Sequence, residues 1–368
     1  MYIKNVCILI IILIVSGCNS SKSKFDKSLS VAVEDALSVA LSDNNVIGAV
    51  LAIETPNGAK YKAVDGYAIR ENNTPMTANL SFRIGSITKT FTTTIILMLI
   101  DDGYITLNTT LNEVLPELEI VMGDQITVEN LLQMRSGLRK YLADEAFSNF
   151  LIYDPERIWE PEELIRFSNY KIGEPNQEFL YNNGNFILLG LMIEKLTDMA
   201  YDEVVKKYIL SPLNMNNTYL PINLNIPDLF AYGYEYNYES SMYINKTYYL
   251  NPTIAWSAGG FISNADDLIT WAKVYTNGEL ISPDLHEKQM TFKVAENNIG
   301  IDEYGLGMMK YEGLIGHDGF IPPYGSWIAT YKGYKLVLLI NGTGIVDIPP
   351  LVASYMLTDI VDSIDDRL

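Results

Sequence analysis

The chain has 368 residues, 48% of them hydrophobic and 11% aromatic, enough to bury a large core in one domain or two intimately joined ones. Its 26 lysines and arginines against 45 aspartates and glutamates give a formal net charge of −19, which argues against nucleic acid as a partner, because phosphate binding is led by lysine and arginine. Two histidines, His286 and His317, and two cysteines, Cys7 and Cys18, are too few for a His- or Cys-based zinc site, so no metal and no other cofactor is expected.

Residues 1–17 read as a signal peptide: Lys4 supplies the charge, residues 6–15 the apolar stretch, and Ser16-Gly17 the small residues ahead of Cys18. The apolar run is too short for a transmembrane span. Val15-Ser16-Gly17-Cys18 resembles the bacterial lipobox, which implies cleavage before Cys18, lipid on its sulfur and a protein held at the cell envelope, on the periplasmic or extracellular face. An ordinary secretory signal is the plainer alternative. Cleavage would remove Cys7 and lipidation would consume Cys18, leaving no disulfide. Residues 18–27, rich in serine and lysine, are expected to form a flexible tether.

Residues 26–41 place Leu29, Val33, Ala36, Leu37 and Ala40 at helical spacing. Residues 48–54, the turn Asn57-Gly58 and residues 61–67 read as a hairpin. After a short extended piece at 81–85, a helix is expected from Ser86 to a stop at Gly103; it is apolar on every side and therefore central and buried. Mixed helices, turns and loops follow to residue 249, including an amphipathic helix over 185–199. Ser263-Asn264-Ala265-Asp266 reads as a capping box that opens a helix through Trp271 to Tyr275. Residues 326–331, the turn Lys332-Gly333 and residues 334–341 form a second hairpin, with a last helix over 351–360. Strands and helices at both ends imply an α+β fold: one antiparallel sheet flanked by terminal helices (28–85 with 255–368) and an inserted, mostly helical subdomain (86–254).

Ser86-Ile87-Thr88-Lys89 sets a hydroxyl and an amine one turn apart at the mouth of the apolar helix. Residues three apart share a helix face, so Lys89 can reach the Ser86 oxygen, and the helix N-terminus favours negative charge there. An ammonium held against an apolar interior is disfavoured, so the amine can accept the serine proton. Ser-x-x-Lys is also common: Ser21-Lys22-Ser23-Lys24 matches it, and a solvated helix start is the ordinary reading of either match alone. Tyr181 and Asn183 are expected on a loop fixed by the helix over 185–199. A tyrosine beside an ammonium ionises more easily and can relay a proton to a leaving group, and an asparagine amide can hold Lys89 and a substrate carbonyl. Tyr243, Tyr249 and Tyr275 begin the same Tyr-x-Asn pattern without that context. Gly316-His317-Asp318-Gly319 adjoins the second hairpin; its glycines let a substrate backbone lie against an edge strand whose N–H groups face a developing oxyanion, and His317 can offer a donor or a positive charge to a substrate carboxylate. An ordinary glycine-rich turn is one alternative. Another is His317 as the base of a Ser-His-Asp triad, which leaves Lys89 unexplained.

Taken in order, Ser86-x-x-Lys89, Tyr181-x-Asn183 and His317-Asp318-Gly319 resemble the three active-site motifs of the penicillin-recognising serine hydrolases: D-alanyl-D-alanine carboxypeptidases, class C β-lactamases and related esterases and D-aminopeptidases. Supporting matches are Ile126-Thr127-Val128-Glu129-Asn130-Leu131-Leu132 with Arg135-Ser136-Gly137-Leu138, and Trp256-Ser257-Ala258-Gly259-Gly260 with Ala265-Asp266-Asp267-Leu268. His-x-Gly and Tyr181-Asn182-Asn183-Gly184-Asn185-Phe186 look most like the secreted D-Ala-D-Ala carboxypeptidase branch. The resemblance implies a β-lactamase/transpeptidase-like fold and acyl transfer through a covalent serine ester. Ser86 would attack, Lys89 and Tyr181 would share the base and acid roles, and the N–H groups of Ser86 and Phe320 would form the oxyanion hole. Asn183, His317, Gly319 and Phe320 would bind substrate, His317 at its carboxylate.

The substrate so implied is a small D-alanyl-D-alanine-type peptide of cell-wall peptidoglycan, or a β-lactam-like molecule. A β-lactamase or esterase of the same fold is the alternative within enzymes, and a surface binding or sensor lipoprotein without turnover is the alternative outside them. Three positions depart from the family pattern: Phe320 stands at a usually small residue, Pro323 at a usual glycine, and Asp318 adds negative charge near the place of a substrate carboxylate. These bear on the substrate rather than on the nucleophile.

Overall fold

The structure, a computed structural model, describes residues 25–342 and 351–368. The expected signal peptide, the lipidation site Cys18 and most of the tether lie outside the described residues. Among the described residues no helix is long and apolar enough to cross a membrane.

Helix α1 (Lys27–Asp43) begins where the Asp26 carboxylate accepts the Leu29 N–H, and it buries Leu29, Val33, Ala36, Leu37 and Ala40, the stripe read from the sequence. It leads into strands β1 (Gly48–Glu54), β2 (Lys60–Ile69) and β3 (Thr74–Pro75). The chain then leaves the sheet for the helical part, which contains α2 (Thr88–Asp101) and α3 (Asn183–Thr197), and comes back through α4 (Ala265–Thr276). It re-enters the sheet by β4 (Lys293–Val294), β5 (Glu303–Tyr304), β6 (Met309–Tyr311), β7 (Leu314–Ile321), β8 (Tyr324–Tyr331) and β9 (Tyr334–Ile340), and ends in α5 (Val352–Ile364).

The nine strands are antiparallel, in the order β3-β2-β1-β9-β8-β7-β6-β5-β4. The join between chain ends is the β1–β9 pair, with Leu51 opposite Leu338 and Ile53 opposite Leu336. Every residue of β1 is buried, as a strand covered by helices on both faces must be. Helices α1 and α5 pack on each other, Trp327 of β8 donates to the Ser354 hydroxyl of α5 at 2.8 Å, and α4 packs against β1, β8 and β9.

Helix α2 is the centre of the molecule, with all but three of its residues buried. Its apolar side chains pack directly: the Phe91 ring stacks on Phe261 at 5.3 Å and on Trp271 at 4.5 Å. Two of its threonines pair with the packing around them: Thr90 accepts the Trp271 indole N–H and Thr92 donates to the Ser257 carbonyl, each at 2.7 Å.

Several local expectations shift. Ser86 belongs to a separate 3₁₀ turn (Gly85–Ile87) ahead of α2. Helix α3 begins at Asn183, so Asn183 is its first residue and not part of the loop, and the helix is buried nearly all round where an amphipathic one was expected. The cap of α4 is Asn264, which accepts the Asp267 N–H, in place of Ser263. The short strands β3 to β6 were not read from the sequence, being two or three residues long.

Candidate active site

Ser86 is presented on its turn by Gly85, whose φ of +50° is a left-handed conformation open to glycine. A Cβ at Gly85 would stand 2.6 Å from the Phe320 nitrogen, so the absence of a side chain lets β7 lie directly against the nucleophile's turn. Gly319 does the same from the other side: a Cβ there would meet the Ile84 oxygen at 2.1 Å and the Ser326 hydroxyl at 2.4 Å. The pairing of β6 with β7 stops at Gly316, whereas β8 pairs as far as Ile321, so residues 317–321 form a free edge on the side facing that turn.

Lys89 has no accessible surface, yet its ammonium position is fully provided for. Nζ lies 2.8 Å from the Ser86 hydroxyl, 2.7 Å from Asn183 Oδ1 and 2.7 Å from the Ala258 carbonyl. It also stands over the rings of Tyr181 at 4.9 Å and Phe186 at 5.5 Å. Burial drives its pKa from 10.5 down to about 7, with the charge of Asp318 opposing part of the fall. A neutral amine keeps two N–H donors and one lone pair. The Asn183 and Ala258 oxygens can only accept, so the donors go to them and the lone pair faces the Ser86 O–H.

Tyr181 closes the site above Lys89, its hydroxyl enclosed and without a well-formed hydrogen bond, with Ser86 as the polar neighbour it feels. The sequence reading expected an easily ionised phenol; the structure reverses this. Burial first and the Asp318 charge second raise the Tyr181 pKa well above 10, against a smaller lowering from Ser86. The phenol holds its proton at neutral pH and is a donor.

His317 is wholly buried, on the opposite face of β7 from Asp318 and Phe320, and does not line the cavity where a substrate carboxylate would bind. Both ring nitrogens are used: Nδ1 lies 2.6 Å from the Asp318 backbone carbonyl, and Nε2 2.9 Å from the Tyr304 hydroxyl. A carbonyl can only accept, so Nδ1 carries a proton, and in the neutral ring Tyr304 donates to Nε2. The His317 ring stands 6.2 Å from that of Tyr181, which makes it a support for that ring. Strand alternation is the reason for the correction: residue 317 shares its face with Gly319, which is pressed against Ile84.

A cavity of about 600 Å³ opens in front of Ser86. Tyr181, Asn183, Asp318 and Phe320 line it, together with Lys140 and a largely apolar wall that includes Tyr141, Leu142, Tyr249, Ile254 and Ile299. Pro323 faces away, toward Gly233, and does not narrow it. Among the described residues no cluster of His, Cys, Asp and Glu could hold a metal ion.

Sequence reasoning missed Tyr304 and the Ala258 carbonyl. The second had a signal, since Ala258 lies in the segment Trp256-Ser257-Ala258-Gly259-Gly260. The segment Arg135-Ser136-Gly137-Leu138 likewise acquires a purpose: the Ser136 hydroxyl donates to Asn185 Oδ1 at 2.7 Å, tying that loop to the start of α3.

Residues 33–349 match the β-lactamase family. Penicillin-binding protein 4* of Bacillus subtilis is 26% identical over 312 residues, 79% of this chain and 67% of that protein; the chain spans 59% of the length of protein flp of Staphylococcus aureus, which is 25% identical. Among solved structures, a D-stereospecific amidohydrolase from Streptomyces sp. superposes with a TM-score of 0.76 at 28% identity, covering 85% of this chain and 94% of its own. D-amino acid amidase from Ochrobactrum anthropi SV3 shares the fold with a TM-score of 0.83 at 24% identity, covering 92% and 99%. The chain thus belongs to the β-lactamase family, the penicillin-recognising serine hydrolases, and has their α+β fold.

Proposed function

We propose that the protein is a serine amidohydrolase that works through an acyl-enzyme on amide bonds of D-amino acids, a class that takes in D-amino acid amides and the D-alanyl-D-alanine-type peptides of peptidoglycan. The observation that carries this reading is the arrangement of Lys89, whose two acceptor-only neighbours leave its lone pair for Ser86. Ser86 Oγ bonds to the substrate carbonyl carbon as its proton passes to Lys89 Nζ. The backbone N–H groups of Ser86 and Phe320, brought together by the close contact at Gly85, receive the oxyanion. The Tyr181 phenol protonates the leaving nitrogen as the C–N bond breaks. Water then attacks the ester, returning a proton to Ser86 and releasing the acid.

The D-configuration is supported by the likeness to the Streptomyces D-stereospecific amidohydrolase, and the peptide reading by the motifs and by the Bacillus penicillin-binding protein. The test is mass spectrometry after treatment with a neutral fluorophosphonate, followed by a panel of D- and L-amino acid amides, a D-Ala-D-Ala peptide, nitrocefin and short-chain nitrophenyl esters. An adduct on Ser86 with turnover of D-amides is expected. A folded protein with no adduct on Ser86 overturns the proposal. The lipobox-like ending at Cys18 supports an envelope location by lipid anchor; labelling with a radioactive fatty acid, lost in Cys18→Ala, is the expected result.

A further inference from the structure

Among the described residues, Asp318 is the one carboxylate that lines the cavity in front of Ser86. It stands on β7 two residues before Phe320, with its side chain 18% exposed. Its side chain lies beside the ring of His317, 3.5 Å from Nδ1 to Asp318 Oδ1, and that nitrogen already donates to the Asp318 carbonyl. Lys140, the cation among the described residues of the cavity wall, also borders a second depression lined by Glu178 and Glu296, so acidic groups face it from that side. The rest of the wall is mainly apolar, and a charge there is poorly screened.

Asp318 and Tyr181 line the same cavity, and the His317 ring neighbours both, 6.2 Å from the Tyr181 ring and 3.5 Å from Asp318 Oδ1, which on the acyl-enzyme reading sets Asp318 on the leaving-group side. The Tyr181 hydroxyl is the donor that must meet the departing atom, and the Asp318 charge acts on it. A substrate ending in a carboxylate would bring a second negative charge to that position. A neutral amide, or a leaving group that carries an amine, would not.

We infer that Asp318 is a specificity-determining residue that turns the cleft toward substrates with a neutral or cationic leaving group and against those ending in a carboxylate, D-alanyl-D-alanine peptides among them. The inference rests on the acyl-enzyme reading of Ser86. It narrows the substrate class to amides of D-amino acids, with the apolar wall suited to a bulky apolar side chain.

The test uses D-phenylalanine p-nitroanilide and its counterpart with a carboxylate on the leaving ring, two substrates with the same acyl group. Wild type is expected to favour the uncharged one in kcat/KM by on the order of 10- to 100-fold, the effect of a like charge within about 7 Å at an effective dielectric of about 20. Asp318→Asn is expected to bring the ratio close to 1, and a ratio taken within one variant is independent of how much of that variant is active. A wild-type ratio near 1, or one that persists in Asp318→Asn, overturns the inference. So does a preference for the carboxylated substrate that Lys140→Met abolishes, since the cleft would then read carboxylates through Lys140. Labelling of Ser86 by a neutral fluorophosphonate separates the two levels: labelling without charge discrimination sinks this inference alone, and absence of labelling sinks the acyl-enzyme reading beneath it.

Discussion

Lys89→Met makes the clearest test of the physics of this site, because its result depends on pH in a direction the structure dictates. Lys89 is fully buried and its pKa falls from 10.5 to about 7. At about 1.36 kcal/mol per unit, the fall corresponds to about 5 kcal/mol of penalty on the protonated folded state. Between the two values the unfolded chain binds the proton and the folded chain does not, so the stability of the wild type rises with pH, by about 1.4 kcal/mol per unit in mid-window. Below pH 7 both states are protonated and the full penalty applies; above 10.5 both are neutral and it is gone. Methionine carries no proton in either state. The hydrogen bonds to Asn183 and Ala258 lost in the variant displace its curve by a constant. Urea unfolding of both proteins at pH 7, 8 and 9.5 is therefore expected to show the wild type gaining about 3 kcal/mol on the variant across the series. A difference constant to within about 1 kcal/mol over that window would refute the buried, depressed lysine.

The remaining predictions concern the same machinery. Because neutral Lys89 is the base, kcat/KM for a neutral ester should rise with pH through a midpoint at about 7, with no falling limb until well above 10 where Tyr181 ionises. Asp318→Asn should move that midpoint down, since the Asp318 charge holds the lysine up; a midpoint unmoved in the variant would contradict this. Gly319→Ala should cut the rate of phosphonate labelling at Ser86 by on the order of 100-fold while circular dichroism stays native, because its Cβ would collide with the Ile84 oxygen at 2.1 Å and lift β7 from the nucleophile. Tyr304→Phe removes the donor to His317 Nε2 and leaves a buried acceptor unpaired, a loss of about 1–3 kcal/mol read from the urea midpoint.

The parts of the molecule legible in the sequence are those whose signal is local. The stripe of α1 is intact, and the helix behind Ser86 is central and buried as expected, because helical spacing and a long apolar run need no partner to be seen. Ser86, Lys89 and Tyr181 were found as motifs, and the structure places them side by side. The orientation of His317 was not legible. A strand's two faces are decided by what lies on each side, and only the contact of Gly319 with Ile84, 235 residues earlier in the chain, shows which face of β7 is shut. The ionisation of Tyr181 was misjudged for a related reason: sequence showed a lysine nearby, but the sign of the shift depends on burial and on Asp318, both products of tertiary packing. The strands β3 to β6 are too short for a period-two pattern to register.

Burial treats the two titratable groups of the site in opposite ways, and that opposition orders the proposed cycle. It favours the neutral form of each, so it lowers Lys89 toward 7 and raises Tyr181 well above 10. Groups whose environments drive their pKa values apart divide into a base and an acid. Lys89 can take the Ser86 proton at neutral pH without waiting for a phenolate to form. Tyr181 can give its own proton to the leaving nitrogen, and the phenolate left behind is a far stronger base than the amine. The proton held on Lys89 then runs downhill to Tyr181, which resets both groups before water attacks the ester. Asp318 raises both values and so leaves this order unchanged, while its charge faces the substrate. One carboxylate can therefore vary in the family's framework, and with it the substrate's charge, without reversing the direction in which protons move.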